Sequence, residues 1–206
     1  RHPVETEGKN EAEQMKEGQV LIGLLDPVNE NETLELYKKN KINSFSMEFV
    51  PRITLAQSMD ILSSMATVAG YKSVLMAANE QSKFFPMFMT AAGTIPPAKV
   101  LILGAGVAGL QAIATARRLG AVVEVFDVRP AVKEQVESLG AKFVEMEITE
   151  DMQDEQGYAK MAGPEFIEKE MELIDKHLGK SDVCITTAQV FGKKAPTLIK
   201  EYMVDN

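Results

Sequence analysis

A glycine-rich hexapeptide between an apolar run and an alanine-rich segment constrains the fold of this chain more than any other feature. The hexapeptide is Gly104-Ala-Gly-Val-Ala-Gly109, and it follows the apolar residues Val100 to Leu103. An acid, Asp127, ends the next apolar run, 23 residues after the first glycine. Strand, G-x-G-x-x-G turn, helix, strand and acid in this order predict a βαβ unit that binds a dinucleotide.

Each glycine in the hexapeptide has a separate physical role in that prediction. Gly104 permits the tight turn, Gly106 lets the backbone approach a pyrophosphate, and Gly109 lets the helix pack closely on the sheet. The following residues, Val107 and Ala108, begin a helix whose free N–H groups attract a phosphate. We therefore expect the pyrophosphate at this turn.

Two residues at the end of the second strand bear on which dinucleotide binds. A carboxylate at Asp127 accepts hydrogen bonds from both ribose hydroxyls and repels a 2′-phosphate, which favours NAD(H) over NADP(H). Arg129 leaves two alternatives open, because a guanidinium can hold a 2′-phosphate or stack on adenine. Flavin and S-adenosylmethionine proteins share the fingerprint, and glycines of this kind also serve close packing alone.

Apolar strands and helices alternate along the second half of the chain. Strands are predicted at 99–104, 122–127, 142–146 and 182–187, and helices at 107–119, 130–139, 165–178 and 195–204. This alternation predicts an α/β fold, a Rossmann-like doubly wound parallel sheet.

The first half contains part of a second α/β domain. A strand at 19–25, a helix at 31–39 and a strand at 42–49 form the predicted elements. We divide the chain into a partial N-terminal α/β domain (1–53), a linking helix (54–82) and a Rossmann NAD(H)-binding domain (83–206) whose C-terminal strands are missing. The proline-broken stretch 84–97 is expected to be a loop, and Gly70 an interruption of the linking helix.

Charge and composition exclude several classes of function. The chain has 22 basic and 30 acidic residues, a net charge of −8, which disfavours binding to nucleic acid. With one cysteine and two histidines it has no internal disulfide and little from which to build a zinc site. The apolar stretch 100–116 is interrupted by glycines, so no transmembrane span is expected.

A second group of polar residues begins the linking helix. Arg52 precedes it, while Gln57, Asp60 and Ser63 follow at steps of three, which brings them to one helix face. Together they can hold a nicotinamide carboxamide and its ribose. The alternative is a solvated helix start with Asp60 favoured by the helix dipole.

Several longer segments resemble one family. They are Met47–Ser64, Met89–Pro97, Gly104–Ala116, Asp127–Arg129, Lys133–Gly140, Gly157–Lys160 and Thr186–Ala188. With these segments the chain resembles the NAD(H)-binding component (domain I, the alpha subunit) of proton-translocating NAD(P) transhydrogenases. The resemblance implies hydride transfer between NAD(H), bound here, and NADP(H) on a partner domain, coupled to proton movement through a membrane domain.

The resemblance also implies roles for individual residues. Arg52, Gln57, Asp60 and Ser63 match the loop at the nicotinamide, with Gln57 reaching toward the partner's nucleotide. Gly157 and Tyr158 match a mobile loop that closes over the nucleotide, and Gln189 stands where many relatives have an apolar residue near adenine. The implied cofactor-binding residues are Gly104, Gly106, Val107, Ala108, Gly109, Asp127, Val128, Arg129, Gly157, Tyr158, Thr187, Ala188 and Gln189.

The family further implies a homodimer, peripheral on the cytoplasmic face of a bacterial inner membrane or on a mitochondrial-type matrix face. Its subunit begins earlier and ends later than this chain, so we expect a portion of a longer subunit that is inactive without its partner domains. Two rival interpretations are an alanine dehydrogenase and a non-catalytic NAD(H)-binding module. The first needs a histidine where this chain has Asp26-Pro27, and the second has no need of the Arg52–Asp60 group.

Overall fold

The computed structural model describes residues 3–146, 163–189 and 194–204, and it separates into two compact units, Arg1–Ser64 and Met65–Asn206. The described strands are β1 (Glu5–Thr6), β2 (Lys9–Asn10), β3 (Val20–Gly23), β4 (Asn43–Ser46), β5 (Phe88–Thr90), β6 (Gly93–Ile95), β7 (Lys99–Leu103), β8 (Val122–Phe126), β9 (Lys142–Phe143) and β10 (Val183–Thr186). The α-helices are α1 (Asn31–Lys39), α2 (Ile61–Glu80), α3 (Val107–Arg118), α4 (Lys133–Ser138), α5 (Pro164–Leu178) and α6 (Glu201–Val204).

A four-stranded parallel sheet organises the second unit. Its strand order is β10-β7-β8-β9, so the chain reverses its direction of winding between β7 and β10. In open parallel sheets, ligands bind outside the carboxyl ends of the strands at such a switch point. The predicted parallel α/β fold is confirmed, and the glycine hexapeptide lies at this switch point.

Helices cover both faces of this sheet because β7 is apolar at every inward position. Val100 and Ile102 face a core shared with the α3 residues Ala112 and Ile113. Leu101 and Leu103 face the opposite core, which includes Ile174 of α5. Successive strand residues point to opposite faces, so a strand buried on both sides has no polar alternation. The sheet is therefore doubly wound.

The first unit contains a smaller parallel pair. Strands β3 and β4 pair in register from Val20 with Asn43 to Gly23 with Ser46, and α1 connects them. A small core of Ala12, Leu25, Tyr37 and Ile42 lies beside this pair. The outer face of the pair leaves apolar side chains such as Ile22 exposed.

Three predicted elements are wrong in detail. The stretch 84–97 contains the antiparallel pair β5–β6, because its prolines flank the strands and leave their ladder intact. The helix predicted at 195–204 is formed only over Glu201–Val204 among the described residues. A 3₁₀ helix, Thr54–Met59, precedes α2, and α2 then continues unbroken through Gly70.

Helix α2 has the length and apolar composition of a membrane-crossing helix, a property that core helices of soluble proteins share. The apolar stretch 100–116 consists of strand β7, the glycine turn and the start of α3.

Candidate functional site

The glycine turn connects the end of β7 to the first residue of α3. Gly104 has a φ of +103°, a conformation that favours glycine because it has no Cβ. Its N–H donates to the Phe126 carbonyl at 2.8 Å, which ties the turn to the end of β8. The backbone of Gly106 is extended, and helical geometry begins at Val107. The N–H groups of the first turn of α3 thus lie at the carboxyl edge of the sheet.

Gly106 and Gly109 differ in what surrounds them. A Cβ at Gly109 would lie 1.9 Å from the Gly104 carbonyl oxygen, so only glycine fits there. A Cβ at Gly106 would meet no atom within 4 Å, so its open side faces no other part of the described chain. Gly109 is required by the packing of the protein itself, whereas Gly106 leaves room beside the backbone for a ligand.

The carboxylate of Asp127 is buried behind the glycine turn. Its residue is 7% exposed, and Oδ2 accepts a hydrogen bond from the Ala105 N–H at 2.7 Å. The backbone N–H of Arg129 donates to Oδ1 at 2.9 Å. These two bonds fix the acid between the glycine turn and the residues that follow β8, which holds both ends of the site in register.

The side chain of Arg129 makes a two-pronged ion pair with the same carboxylate. Its Nε donates to Oδ1 at 2.9 Å and its Nη2 to Oδ2 at 2.8 Å. A carboxylate has about four acceptor positions, and the two backbone bonds and the two side-chain bonds together fill them. A ribose hydroxyl can donate to Asp127 only if this guanidinium gives up a position.

Glu170 of α5 is a second acid near Asp127, and none of the sequence motifs pointed to it. It is 7% exposed, and burial together with the neighbouring charge of Asp127 raises its pKa to about 7. Its signal was present in the sequence, because Glu170 lies between Ile167 and Ile174 at helical spacing, on an otherwise apolar face. At neutral pH the region therefore holds an acid close to half-ionised.

Thr187 supports the glycine turn from the end of β10. Its N–H donates to the Leu103 carbonyl at 2.8 Å and its hydroxyl to the Gly104 carbonyl at 2.9 Å. The next residue, Ala188, is partly buried, whereas Gln189 is exposed. Val128 is partly buried and packs against the core beneath α5. The hydroxyl of Thr187 is thus engaged with the backbone of the turn.

The polar group in the first unit is built around the start of α2. Asp60 immediately precedes the helix, and its carboxylate accepts from the Ser63 N–H at 3.0 Å and from the Ser63 hydroxyl at 2.6 Å. Burial acts to raise the pKa of Asp60, but these bonds and the charge of Arg52 outweigh it and lower the pKa. Asp60 is therefore the N-cap of α2.

Arg52 and Gln57 are the more accessible members of this group. The Arg52 Nε lies 3.9 Å from the Asp60 Oδ2, and the arginine side chain is 39% exposed. Gln57 is exposed within the 3₁₀ helix Thr54–Met59. The structure brings Arg52, Asp60 and Ser63 together, with the amide of Gln57 in solvent.

Gly157 and Tyr158 lie outside the described residues. Within the described part of the chain, no group of three or more His, Cys, Asp or Glu residues could hold a metal ion. Burial raises the pKa of the Cys184 thiol to about 11, so this cysteine is unreactive at neutral pH. The chemistry available at the site is positioning by backbone N–H groups, Asp127 and Arg129.

The parallel sheet, the glycine turn at its switch point and the buried acid after β8 define the class of this protein as a Rossmann-like α/β protein. The chain belongs to the alanine dehydrogenase/PNT family. The C-terminal domain of that family matches residues 73–206, and its N-terminal domain matches residues 3–69.

Individual relatives refine this assignment. The chain is 53% identical over 200 residues to the first of the separate polypeptides of the NAD(P) transhydrogenase alpha subunit of Rhodospirillum rubrum, covering 96% of this chain and 52% of that protein. It is 28% identical over 207 residues to an alanine dehydrogenase of Staphylococcus epidermidis, covering 99% of this chain and 49% of that protein. The chain spans about half the length of these curated relatives.

The solved structure of transhydrogenase from Sinorhizobium meliloti has the same fold, with a TM-score of 0.83 and 46% sequence identity. That match covers 99% of this chain and 54% of the solved chain. The confirmed statements are therefore the family and the α/β fold.

Proposed function

We propose that this chain is the NAD(H)-binding part of a proton-translocating NAD(P) transhydrogenase. Hydride passes between NAD(H) on this chain and NADP(H) on a partner domain, and the transfer is coupled to proton translocation by a membrane domain. The observation that carries the proposal is the contrast between Gly109, closed by packing, and Gly106, open beside the N–H groups of α3. This arrangement supports a pyrophosphate at the turn.

Asp127 and Arg129 form the adenosine end of the proposed site. Since Arg129 already occupies two acceptor positions of Asp127, ribose binding involves an exchange of partners in which the guanidinium moves off the acid. The released guanidinium can then stack on adenine. The buried charge of Asp127, with Glu170 nearby, disfavours a 2′-phosphate, which supports NAD(H) over NADP(H) here.

Arg52, Gln57, Asp60 and Ser63 are proposed to position the nicotinamide. Asp60 and Ser63 fix the helix start, Arg52 is held beside them, and Gln57 extends toward the partner's nucleotide. Direct hydride transfer between two nicotinamides requires orientation and exclusion of water more than an acid, a base or a nucleophile. The remaining proposed contacts are Val107, Ala108, Val128, Gly157, Tyr158, Thr187, Ala188 and Gln189.

The proposed assembly follows from the same family assignment. We propose a homodimer that docks on the NADP(H)-binding and membrane domains, peripheral on the cytoplasmic face of a bacterial inner membrane or on a mitochondrial-type matrix face. The name of the Rhodospirillum relative, which describes one portion of an alpha subunit, supports a protein made of several polypeptides. The net charge of −8 gives no support to a nucleic-acid partner.

The deciding experiment is an NADH titration with and without an added NADP(H)-binding domain, followed by a hydride-transfer assay. We expect NADH to bind this chain alone and transfer to appear only when the partner domain is present. Asp127→Ala and Arg52→Ala should each weaken NADH binding. Unchanged titrations for both variants would remove these residues from the site.

Two other outcomes separate the rival functions. Rapid production of NADH from alanine would favour an alanine dehydrogenase, although Asp26-Pro27 stands where that enzyme needs a histidine. NADH binding with no transfer to any added partner domain would favour a nucleotide-binding module without catalysis.

A further inference from the structure

Helix α2 contains a glycine at its middle, where glycine is a poor helix former. The helix continues through Gly70 from Ile61 to Glu80, so the glycine neither ends nor interrupts it. A glycine inside a helix loses more conformational freedom on folding than alanine does. A local structural role at a turn is therefore excluded, and the reason must lie in what the helix contacts.

The contact is with the backbone of α3. A Cβ at Gly70 would lie 2.1 Å from the carbonyl oxygen of Ala108, 2.9 Å from its carbonyl carbon and 3.1 Å from its Cα. Contacts below 3.0 Å are essentially never made by real Cβ atoms, and these atoms belong to the main chain, so they cannot rotate away. Only glycine allows the two helices to approach this closely.

The contact is part of a continuous interface rather than an isolated crossing. Val74 lies one turn further along α2 and is completely buried, in the same core cluster as Ala112 and Ile113 of α3. Residues four apart share a helix face. Gly70 and Val74 therefore form one packed edge of α2 against α3, with Gly70 at the end nearest the glycine turn.

Ala108 lies in the first turn of α3, whose N–H groups have no acceptor within the helix. A shift of Ala108 moves the N–H groups of Gly106, Val107 and Ala108 together, because they belong to one rigid turn. A phosphate held by several such donors is sensitive to displacements of a few tenths of an ångström, since hydrogen bonds weaken with distance and misalignment.

We infer that Gly70 is a positioning residue for the pyrophosphate: its missing side chain lets α2 support the first turn of α3 at the place that binds the dinucleotide. This inference rests on the proposed NAD(H) function. It assigns a role in nucleotide binding to a residue of α2 that lies outside the G-x-G-x-x-G fingerprint.

Gly70→Ala gives a test in which two explanations predict opposite signs. If α2 were simply a helix with a misplaced glycine, alanine would stabilise it and leave binding unchanged. If Gly70 positions the turn, alanine pushes Ala108 away. The matched control is Ala69→Ser, which adds one heavy atom at the neighbouring exposed position of the same helix.

The measurement is a pair of titrations of the 206-residue chain, one with NADH and one with adenosine, which lacks the pyrophosphate. We expect Gly70→Ala to weaken NADH binding at least tenfold while adenosine binding changes less than twofold. Ala69→Ser should match the parent chain in both titrations. Equal losses for NADH and adenosine, or unchanged NADH binding, would overturn the inference.

A second measurement on the parent chain covers the case in which Gly70→Ala does not fold. Hydrogen exchange with and without NADH should show slower exchange at amides 70–74 of α2 as well as at amides 106–110. Protection confined to the glycine turn and α3 would overturn the inference. Failure of the parent chain to bind NADH would instead overturn the proposed function.

Discussion

The two polar regions proposed to bind the nucleotide are built in different ways. At the glycine turn, Asp127 is 7% exposed and Thr187 and Ala105 hold the backbone with hydrogen bonds of 2.7 to 2.9 Å. At the start of α2, the arginine of the Arg52–Asp60 pair is 39% exposed and 3.9 Å from its partner. The first region is rigid before any ligand arrives, and the second presents side chains to solvent.

This difference teaches which parts of the function depend on the fold. In the glycine turn the groups that bind the ligand are also groups that the core requires, so substitutions there affect stability and binding together. Around Gln57 the side chains contribute little to the core, so substitutions there should change chemistry and leave stability intact.

The largest expected effect separates two glycines of the same turn. Gly109→Ala forces a Cβ to within 1.9 Å of a backbone oxygen, so we expect the free energy of unfolding to fall by about 3 kcal/mol. Gly106→Ala meets open space and should lower it by no more than about 1 kcal/mol, as loss of a helix cap does. Urea unfolding measures both.

The same pair of variants distinguishes packing from binding. Although it remains folded, Gly106→Ala should reduce NADH affinity at least tenfold, because the added methyl group occupies the ligand's side of the turn. Equal loss of stability in the two variants would contradict the distinction between a packed glycine and an open one.

The second prediction concerns the pH dependence of stability through Glu170. Its pKa in the folded chain is about 7 and its reference value 4.5, so the folded state holds the proton more tightly. The ionised form is therefore a penalty that grows as pH rises from about 4.5 to 7 and is complete above pH 7. Glu170→Gln should remove on the order of 2 kcal/mol of this pH-dependent loss.

Urea unfolding of the parent chain and Glu170→Gln at pH 5 and pH 8 checks this. The variant should gain stability relative to the parent chain at pH 8 and show little difference at pH 5. Two parallel profiles would mean that Glu170 titrates in the folded chain as it does in the unfolded one.

The third prediction separates the two roles of Asp60. Asp60→Ala removes the acceptors of both Ser63 bonds and should lower the free energy of unfolding by about 1 kcal/mol, the usual value of an N-cap. Asp60→Asn keeps an N-cap oxygen and should stay close to the parent chain in thermal unfolding. Weaker NADH binding by the asparagine variant would then report the lost charge beside Arg52. Equal destabilisation of both variants would contradict the cap.

The smallest expected change in stability is at Gln57. Because this side chain is exposed, Gln57→Ala should alter the free energy of unfolding by less than about 0.5 kcal/mol and NADH affinity by less than about threefold. Hydride transfer to an added NADP(H)-binding domain should nevertheless fall at least tenfold. Ser58→Ala, at the adjacent exposed position, is the matched control. An identical loss of transfer in both variants would indicate damage to the 3₁₀ helix instead.

Much of the second unit could be predicted from sequence because its signals are local. An apolar strand, a glycine turn and a helix follow one another along the chain. In the first unit, α1 matches its predicted bounds because its acids and lysines lie at the ends that the dipole favours. The β5–β6 pair was missed because the prolines around it suggested a loop. The helix predicted at 195–204 was too long, because apolar spacing alone does not show where a helix begins.

The sequence by itself determined the parallel sheet, the glycine turn and Asp127 as its buried acid, since strand periodicity and glycine conformation act over a few residues. Only the tertiary structure decided that Arg129 fills the acceptors of Asp127, that Glu170 lies beside them and that Gly70 presses against Ala108. Residues 70 and 108 are far apart in the chain, and no local pattern links them. Close contact between distant segments depends on how whole helices pack, and this packing gives a mid-helix glycine its purpose.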